Sequence, residues 1–228
     1  MNNPELACHY NGTDVRYSHG DLLQEILESK GHKFLPATSS SAVLEISGLK
    51  ITTLLPTTKV CSTLSNNWNA SRIIKEEKAG YTYLDRQKNN EDIINRSSIC
   101  LLLERNGKKV LLLGDSNPDD VCNSLLQLTS SQFDLVKLSH HGSKHNTNEN
   151  LLDLLKCDNY VISTNGNKYS HPNSQTINRL SEKAVSEGKV YNVFLNYELE
   201  EKIRKQYKVE YKSEIQNLKF FHKQEIQF

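Results

Sequence analysis

Histidine and aspartate residues occur at three points of the chain where an apolar run ends. Asp115 follows the run KKVLLLG, the pair His140-His141 follows FDLVKLS, and His171 lies in NGNKYSHP after NYVIST. Imidazole nitrogens and carboxylate oxygens are ligands of zinc, manganese and iron, and a carboxylate can bridge two ions. The same groups act as general acids and bases. We therefore take these four residues as the candidate site.

Each of these residues also has a structural explanation. Asp115 lies just before Asn117-Pro118 and is a candidate cap for the next helix. His171 precedes a proline and is equally typical of an ordinary loop. The pair His140-His141 is harder to explain in this way, because two imidazoles beside the flexible Gly142 serve no packing need. The ordered set therefore favours a function. The other histidines lack such a context: His9, His19, His32, His145 and His222.

The surrounding pattern predicts strands that alternate with helices. The runs 98–104 and 108–114 flank Asn106-Gly107, a strong signal for a β-hairpin. Helices are predicted from Pro118, in NENLLDLLK and from about Ser174 to Gly188, with strands between them. This order indicates a layered α/β fold. Ligands bind beyond the carboxyl ends of strands in such sheets, so the three polar segments should converge.

The remaining segments complete one domain over residues 1–228. We predict a helix from Asp21 to Gly31 and a hairpin around Ser47-Gly48. Residues 61–95 are rich in Asn, Ser and charge, which indicates a long loop or a partly helical insertion. VYNVFLNYE is predicted as a strand. The variable tail, residues 201–228, fits exposed strands or a frayed helix, and its periodicity does not decide between them.

Charge and composition exclude several classes of protein. The chain has 228 residues, 28 Lys and Arg against 27 Asp and Glu, and a net charge of +1. Any contact with nucleic acid must therefore be local. There is no apolar run of about 18 residues and no secretory signal, so we expect a cytoplasmic protein without membrane contact. The five cysteines form no CxxC pair, which favours reduced thiols over disulfides or a cysteine zinc site.

Three longer strings also resemble a known family. NRSSICLLLERNGKKVLLLGDS, FDLVKLSHHGSKHNT and VISTNGNKYSHPNSQTINRL occur in the order found in the later half of the metallo-β-lactamase-fold hydrolases, particularly the ComEC-type subfamily of competence proteins. The resemblance is strongest over residues 40–200. It implies an αββα sandwich, here without its N-terminal opening strands. It also implies phosphodiester hydrolysis with zinc or manganese, up to two ions, bound weakly or not at all by the isolated chain.

The resemblance assigns roles to individual residues. It implies that Asp115 bridges the metal ions and that His140 is a ligand. It implies that His141 is either a neighbouring ligand or a residue that contacts the ligands without binding metal. It implies that His171 contacts the substrate or protonates the leaving group. The substrate would be nucleic acid or a small phosphodiester. Residues expected to bind it are Asn95, Ser97, Ser98, Ser143 and Lys144, and the lysines expected near the same edge are Lys137, Lys144 and Lys168.

One motif of that family is absent. Its members carry a His-x-His-x-Asp-His loop, for which Tyr17-Ser18-His19-Gly20-Asp21 is a poor match. Two hypotheses follow. The chain is a truncated or split hydrolase, completed by a partner chain that restores the sandwich, or it is a catalytically degenerate binding or assembly module of the same fold. A third hypothesis, a serine hydrolase using Ser139 or Ser143, has no G-x-S-x-G motif to support it.

Overall fold

The computed structural model describes residues 17–32, 40–66, 93–167, 170–223 and 225–227. Its helices are α1 (Tyr17–Ser29), α2 (Ile93–Arg96), α3 (Pro118–Leu125), α4 (Glu149–Leu154), α5 (Ser174–Ser186) and α6 (Glu200–Tyr211), and residues 58–66 are helical too. Its strands are β1 (Val43–Ile46), β2 (Leu49–Leu55), β3 (Cys100–Arg105), β4 (Lys108–Leu112), β5 (Leu135–Lys137), β6 (Asn159–Ile162), β7 (Tyr191–Leu195) and β8 (Leu218–His222).

The eight strands form one sheet in which their spatial order is their order along the chain. Strands β1 to β4 are antiparallel, and β4 to β8 are parallel. Both predicted hairpins are present. Their turn residues all have the positive φ that tight two-residue hairpin turns require: Ser47, Gly48, Asn106 and Gly107.

Helices α3 to α6 connect the parallel strands, and the main core lies on one face of the sheet. Leu111, Val136, Tyr160 and Val193 are register neighbours on four adjacent strands, and each is 0% exposed. Buried residues of the connecting helices belong to the same core cluster, for example Val121 of α3. Because β4 to β8 run parallel, with a helix between each strand and the next, their carboxyl ends lie at one edge. We call it the carboxyl edge.

The opposite face of the sheet differs in its burial. A second register row crosses it through Leu112, Lys137, Val161, Phe194 and Phe221, and all five residues are half-buried. In an αββα sandwich a second sheet would pack on this face. All strands of the described ranges belong to a single sheet, so the layered α/β class is confirmed while the sandwich itself stays a prediction.

Several sequence predictions differ from the structure in detail. The first helix begins at Tyr17 rather than Asp21. The tail is α6 followed by β8, because Ile203 and Tyr207 bury one helix face and Leu218 pairs with Tyr191. Most of the predicted insertion at 61–95 lies outside the described residues, as do Cys8, His9 and Lys168.

The described cysteines and helices bear on two further sequence expectations. Cys61, Cys100, Cys122 and Cys157 are all free thiols. Burial raises the pKa of both Cys100 and Cys157 to about 12, so these two are unreactive packing residues. Within the same ranges, no helix is both long enough and apolar enough to cross a bilayer.

Candidate functional site

Three loops meet at the carboxyl edge. They follow β4, β5 and β6, and they carry Asp115, the turn Ser139–Gly142 and His171. The backbone N–H of His140 donates to the Gly114 carbonyl at 2.9 Å, and the N–H of Asn173 donates to the Gly142 carbonyl at 3.1 Å. The middle loop is therefore joined to both of its neighbours through the main chain, which fixes the spacing of the side chains that the loops carry.

The loops place three imidazoles together, which we call the imidazole cluster (His140, His141 and His171). The ring centroids are 6.0 Å apart for His140 and His141, 5.6 Å for His140 and His171, and 6.4 Å for His141 and His171. The Asp115 carboxylate is near enough to interact with His171, where it opposes in small part the lowering of the His171 pKa by burial and by the other two imidazoles. The structure thus brings imidazoles from two loops and the carboxylate of a third to one edge.

The backbone of the histidine pair is left-handed. His140 has φ 44° and His141 has φ 58°, and Gly142 follows with φ 80°. Non-glycine residues in this region are held at an energetic cost and concentrate at functional sites. Gly142 is also sterically required, because a Cβ at this position would lie 2.8 Å from Cβ of Pro172. The left-handed run therefore turns the chain sharply and lets the His171 loop approach.

Hydrogen bonds and burial define the state of two rings. Nδ1 of His141 lies 2.5 Å from the Ser163 carbonyl oxygen. A carbonyl accepts only, so this nitrogen carries the proton and Nε2 keeps its lone pair. Burial lowers the pKa of His171 below the ordinary 6.5, and the two neighbouring imidazoles lower it further. His171 is therefore neutral at pH 7 and able to accept a proton.

Polar side chains hold the Asp115 loop in place through hydrogen bonds to its main-chain carbonyls. Asn146 Nδ2 donates to the carbonyls of Asp115 at 3.2 Å and of Ser116 at 3.1 Å, and the buried Ser139 hydroxyl donates to the latter at 2.9 Å. The cap of α3 is Asn117, whose side chain accepts from the N–H of Asp119. The structural explanation of Asp115 as a helix cap is therefore wrong, and its carboxylate is available at the edge.

The segment before β3 lies against the end of β4. A Cβ on Gly114 would be 2.8 Å from the Ile99 carbonyl oxygen and 3.2 Å from Cβ of Ser98. Ser98 is thus adjacent to the Asp115 loop, and its N–H donates to the Asn95 carbonyl at 2.9 Å. Of the residues predicted to bind substrate before β3, Ser98 has this contact with the loop. Asn95 and Ser97 belong to the same half-buried turn.

Arg96 fixes this segment, a contact that sequence reasoning missed. Its guanidinium forms two hydrogen bonds with the Asp120 carboxylate of α3, at 2.8 and 2.7 Å. The pair is half-buried, and such bidentate bonds are among the stronger ones in proteins. The two residues are 24 positions apart, so no local pattern indicates their contact.

Ser143 and Lys144 differ in their surroundings. Ser143 is 4% exposed and its hydroxyl accepts from the N–H of His145 at 3.3 Å, so the side chain supports the loop. Ser139 is buried as well and already donates to the main chain. Neither serine is placed as an accessible nucleophile. Lys144 is exposed, and its backbone N–H donates to the Asn173 side chain at 2.9 Å.

Arg179 of α5 also holds the histidine loop and was not predicted. Its Nη1 donates to the carbonyls of Lys144 at 2.8 Å and Thr147 at 2.7 Å, and its Nε lies 3.3 Å from the Glu149 carboxylate. The guanidinium thus fastens the segment that follows Ser143 to the core helix. In the sequence this arginine is a polar position of an amphipathic helix, and nothing local distinguishes it from a solvated one.

The donors of the site suit a transition metal in kind, and the imidazoles are spaced more widely than two ligands of one bound ion. Two imidazoles on one tetrahedral zinc ion place their ring centroids about 5 Å apart. All three pairs of the imidazole cluster are wider than this. No group of three or more His, Cys, Asp or Glu side chains among the described residues is arranged to hold a metal ion. The described part of the chain therefore forms no complete metal centre by itself.

Comparison with known proteins gives a limited match. No family model matches the chain. The chain is similar to ComE operon protein 3 of Bacillus subtilis (strain 168), with 28% identity over 92 residues. These residues are 40% of this chain and 12% of that protein. The match therefore relates this chain to a small part of a ComE operon protein, in line with the ComEC-type resemblance of its motifs.

Proposed function

We propose that the chain is a phosphodiester hydrolase whose reaction takes place at the carboxyl edge, related to the nuclease-like metallo-β-lactamase-fold enzymes. The observation that carries the proposal is the imidazole cluster beside Asp115. Packing does not require three imidazoles within 6.4 Å of one another on strained and neighbouring loops. A reaction that transfers protons at a fixed point does require such groups.

The residues of the chain suit the proton transfers of hydrolysis. A water oxygen attacks phosphorus, the bond from phosphorus to the leaving oxygen breaks, and the proton lost by water must be accepted. His171 is neutral at pH 7 and can accept this proton, then return it to the leaving oxygen. In the neutral His141 ring, the Nε2 lone pair is a second acceptor within the imidazole cluster.

A divalent ion, zinc or manganese, belongs to the proposal as an expectation. Asp115, His140 and His141 are the residues that would hold it, with further donors from beyond the described ranges or from a partner chain. When bound, such an ion lowers the pKa of water and neutralises charge on phosphate. Metal content of the purified protein, measured for the wild type and for Asp115→Asn, tests this part separately.

Hydrolysis of bis(p-nitrophenyl) phosphate tests the main proposal. The assay compares the wild type with Asp115→Asn and His171→Gln, each with and without added zinc or manganese. We expect losses of about 100-fold to 10,000-fold, the range for removing one acid–base group. His222→Gln is the matched control, because this histidine lies near Glu198 at the end of β8 and outside the imidazole cluster. Equal rates in all four proteins would refute the proposal.

The second candidate function is a binding or assembly module without catalysis. The observation in its favour is that the described residues hold no group of three metal donors. It predicts that a chelator leaves the thermal unfolding midpoint unchanged and that no phosphodiester is cleaved. A chelator that lowers the midpoint by several degrees would exclude it.

A further inference from the structure

Lys137 is a charged residue in an otherwise apolar row. Its register neighbours are Leu112 on β4 and Val161 on β6, and Phe194 and Phe221 continue the row. Its side chain is half-buried, and its Nζ donates to the Leu138 carbonyl at 3.4 Å, a long hydrogen bond. An ammonium group has three donors, and partly burying it without close partners is unfavourable. Packing alone would favour another apolar residue at this position.

The position of Lys137 relates it to the imidazole cluster. It is the last residue of β5, three residues before His140, and its Nζ lies along the part of the chain that leads into the histidine turn. Burial lowers the pKa of Lys137, while the Asp115 carboxylate raises it. The two charges are therefore close enough to interact, although they form no direct ion pair.

We propose that the Lys137 ammonium binds a non-bridging oxygen of the substrate phosphate, an inference that rests on the proposed hydrolase function. A phosphodiester brings a negative charge to an ammonium that forms no direct ion pair among the described residues and meets the Asp115 charge only at longer range. The half-buried setting strengthens that attraction relative to a solvated lysine. Preorganised cations of this kind stabilise the extra charge that phosphate gains in the transition state.

Lys223 provides the contrast. It follows β8 at the carboxyl edge and carries the same charge, but its side chain is exposed. Water and salt screen an exposed ammonium, so its contribution to binding a phosphate is small. The two lysines therefore form a matched pair, in which Lys223 controls for the loss of one positive charge at this edge of the sheet.

Kinetics with bis(p-nitrophenyl) phosphate test the inference. We expect Lys137→Met to lower kcat/KM by about 100-fold, the size found when one preorganised donor is removed. Lys137→Arg should recover part of the activity, and Lys223→Met should change it by less than about threefold. Inorganic phosphate, used as a competitive inhibitor, should bind about tenfold more weakly to Lys137→Met than to Lys223→Met.

Thermal unfolding separates this role from a structural one. Because Met removes a half-buried charge from an apolar row, Lys137→Met should unfold at the same temperature as the wild type or higher. A variant that is less stable and less active in proportion would indicate a packing role and overturn the inference. Unchanged kcat/KM and phosphate inhibition in a folded Lys137→Met would do so as well, while leaving the hydrolase function intact.

A binding measurement keeps the inference testable if the wild type hydrolyses nothing. The histidine ring protons are followed by NMR while inorganic phosphate is added. We expect the signals of the imidazole cluster to shift in the wild type and in Lys223→Met, and to stay in place in Lys137→Met. Equal shifts in all three proteins, or none in the wild type, would overturn the role of Lys137.

Discussion

The two ends of the parallel strands differ in how their charged groups are arranged. At the amino ends, carboxylates meet cations: Asp134 lies 2.9 Å from Lys108 Nζ, and Asp158 lies 3.1 Å from Lys189 Nζ. At the carboxyl edge, three imidazoles lie beside one another and two of them sit on left-handed backbone. Opposite charges at one end favour folding, whereas like groups and strain at the other oppose it.

This difference indicates that the carboxyl edge contributes less to the stability of the fold than the amino ends do. The hydrogen bonds from Lys108 and from the Lys109 N–H lower the pKa of Asp134, so that carboxylate is better stabilised in the folded state than in water. Burial, and after it the two neighbouring imidazoles, instead lower the pKa of His171 and so destabilise its protonated form. Unfavourable groups persist in natural proteins mainly where function requires them. The contrast therefore supports the carboxyl edge as the functional end.

The largest effect on stability is expected from substituting two glycines, Gly142 at the carboxyl edge and Gly188 at the amino ends. Gly142→Ala introduces a methyl group 2.8 Å from Pro172 at φ 80°, whereas Gly188→Ala at φ 63° meets nothing within 4 Å. We expect Gly142→Ala to lower the free energy of unfolding by about 2–4 kcal/mol, from strain plus overlap. The control Gly188→Ala should lose about 1–2 kcal/mol, from strain alone. Urea denaturation measures both.

Equal losses in the two alanine variants would contradict this prediction. They would mean that the loop of His171 moves away from Gly142 without difficulty. The close approach of the two loops would then be no requirement of the fold, and the argument for a rigid imidazole cluster would weaken accordingly.

The guanidinium of Arg179 is expected to have the next largest effect. Arg179→Met keeps most of the apolar stem but removes the bonds to the Lys144 and Thr147 carbonyls. We expect a loss of about 1.5–3 kcal/mol, typical of hydrogen bonds from a charged group. The control is Lys208→Met, whose ion pair with Glu214 is exposed on both sides and contributes about 0.5 kcal/mol.

The catalytic activity of Arg179→Met tests the same role of this guanidinium. If the loop following Ser143 shifts, Arg179→Met should lower kcat for bis(p-nitrophenyl) phosphate more than it raises KM, because the acid–base groups lose their alignment. Arg179→Lys should restore some stability but little alignment, since a lysine cannot make the same forked contacts. Wild-type kcat in Arg179→Met would show that the loop holds its position without this residue.

A smaller difference in stability is expected between two ion pairs, one partly buried and the other exposed. Arg96 and Asp120 form a bidentate pair whose side chains are 29% and 15% exposed, while those of Lys108 and Asp134 are 50% and 32% exposed. Asp120→Asn should cost about 1–2 kcal/mol, because it weakens a charge-assisted pair that is partly shielded from water. Lys108→Met should cost less than about 1 kcal/mol. Thermal unfolding at low and at high salt compares the pairs.

The effect of salt on the unfolding of Asp120→Asn could contradict this ranking of the two ion pairs. Screening weakens exposed pairs more than shielded ones. If high salt removed the difference between Asp120→Asn and the wild type, the Arg96 pair would be an ordinary surface contact. Ser98 would then lack the fixed position beside Gly114 that substrate binding needs.

The elements of the carboxyl edge were predictable because local rules specify them. The Asn106-Gly107 turn, the helix starting at Pro118 and the strand before His140 each follow from a few neighbouring residues. Once strands and helices alternate, the rule for open sheets brings Asp115 and the histidines to one edge without further information. Local chemistry was therefore sufficient for the outline of the site.

The supporting contacts were not predictable, because they join distant positions of the chain. Arg179 holds a loop that lies more than 30 positions before it, and Lys137 acquires its apolar neighbours only when β4, β5 and β6 pair. The tail was ambiguous for a related reason. Its apolar residues, such as Ile203 and Tyr207, show their face only against a core that other segments build. Tertiary contacts decide such cases.

The smallest effect concerns the pH dependence of the amino ends. Hydrogen bonds from Lys183 and Tyr191 lower the pKa of Glu187 from 4.5 to about 2. A depressed pKa stabilises the fold above pH 4.5, and this stabilisation is lost as the pH falls from 4.5 towards 2. Because Glu187 is largely solvent-exposed, we expect only about 1 kcal/mol from it after allowing for screening.

Glu187→Gln measures this contribution directly. The variant should be about 1 kcal/mol less stable than the wild type at pH 6 and close to it at pH 2.5, because most of the stabilisation from a depressed pKa is lost between 4.5 and that pH. Glu201→Gln, an exposed substitution on α6, is the control for the loss of one negative charge. A gap between Glu187→Gln and the wild type that persisted at pH 2.5 would mean that the carboxyl acts through packing. Paired charges would then stabilise the amino ends less than their distances indicate. The difference in stability between the amino ends and the imidazole cluster would be correspondingly smaller.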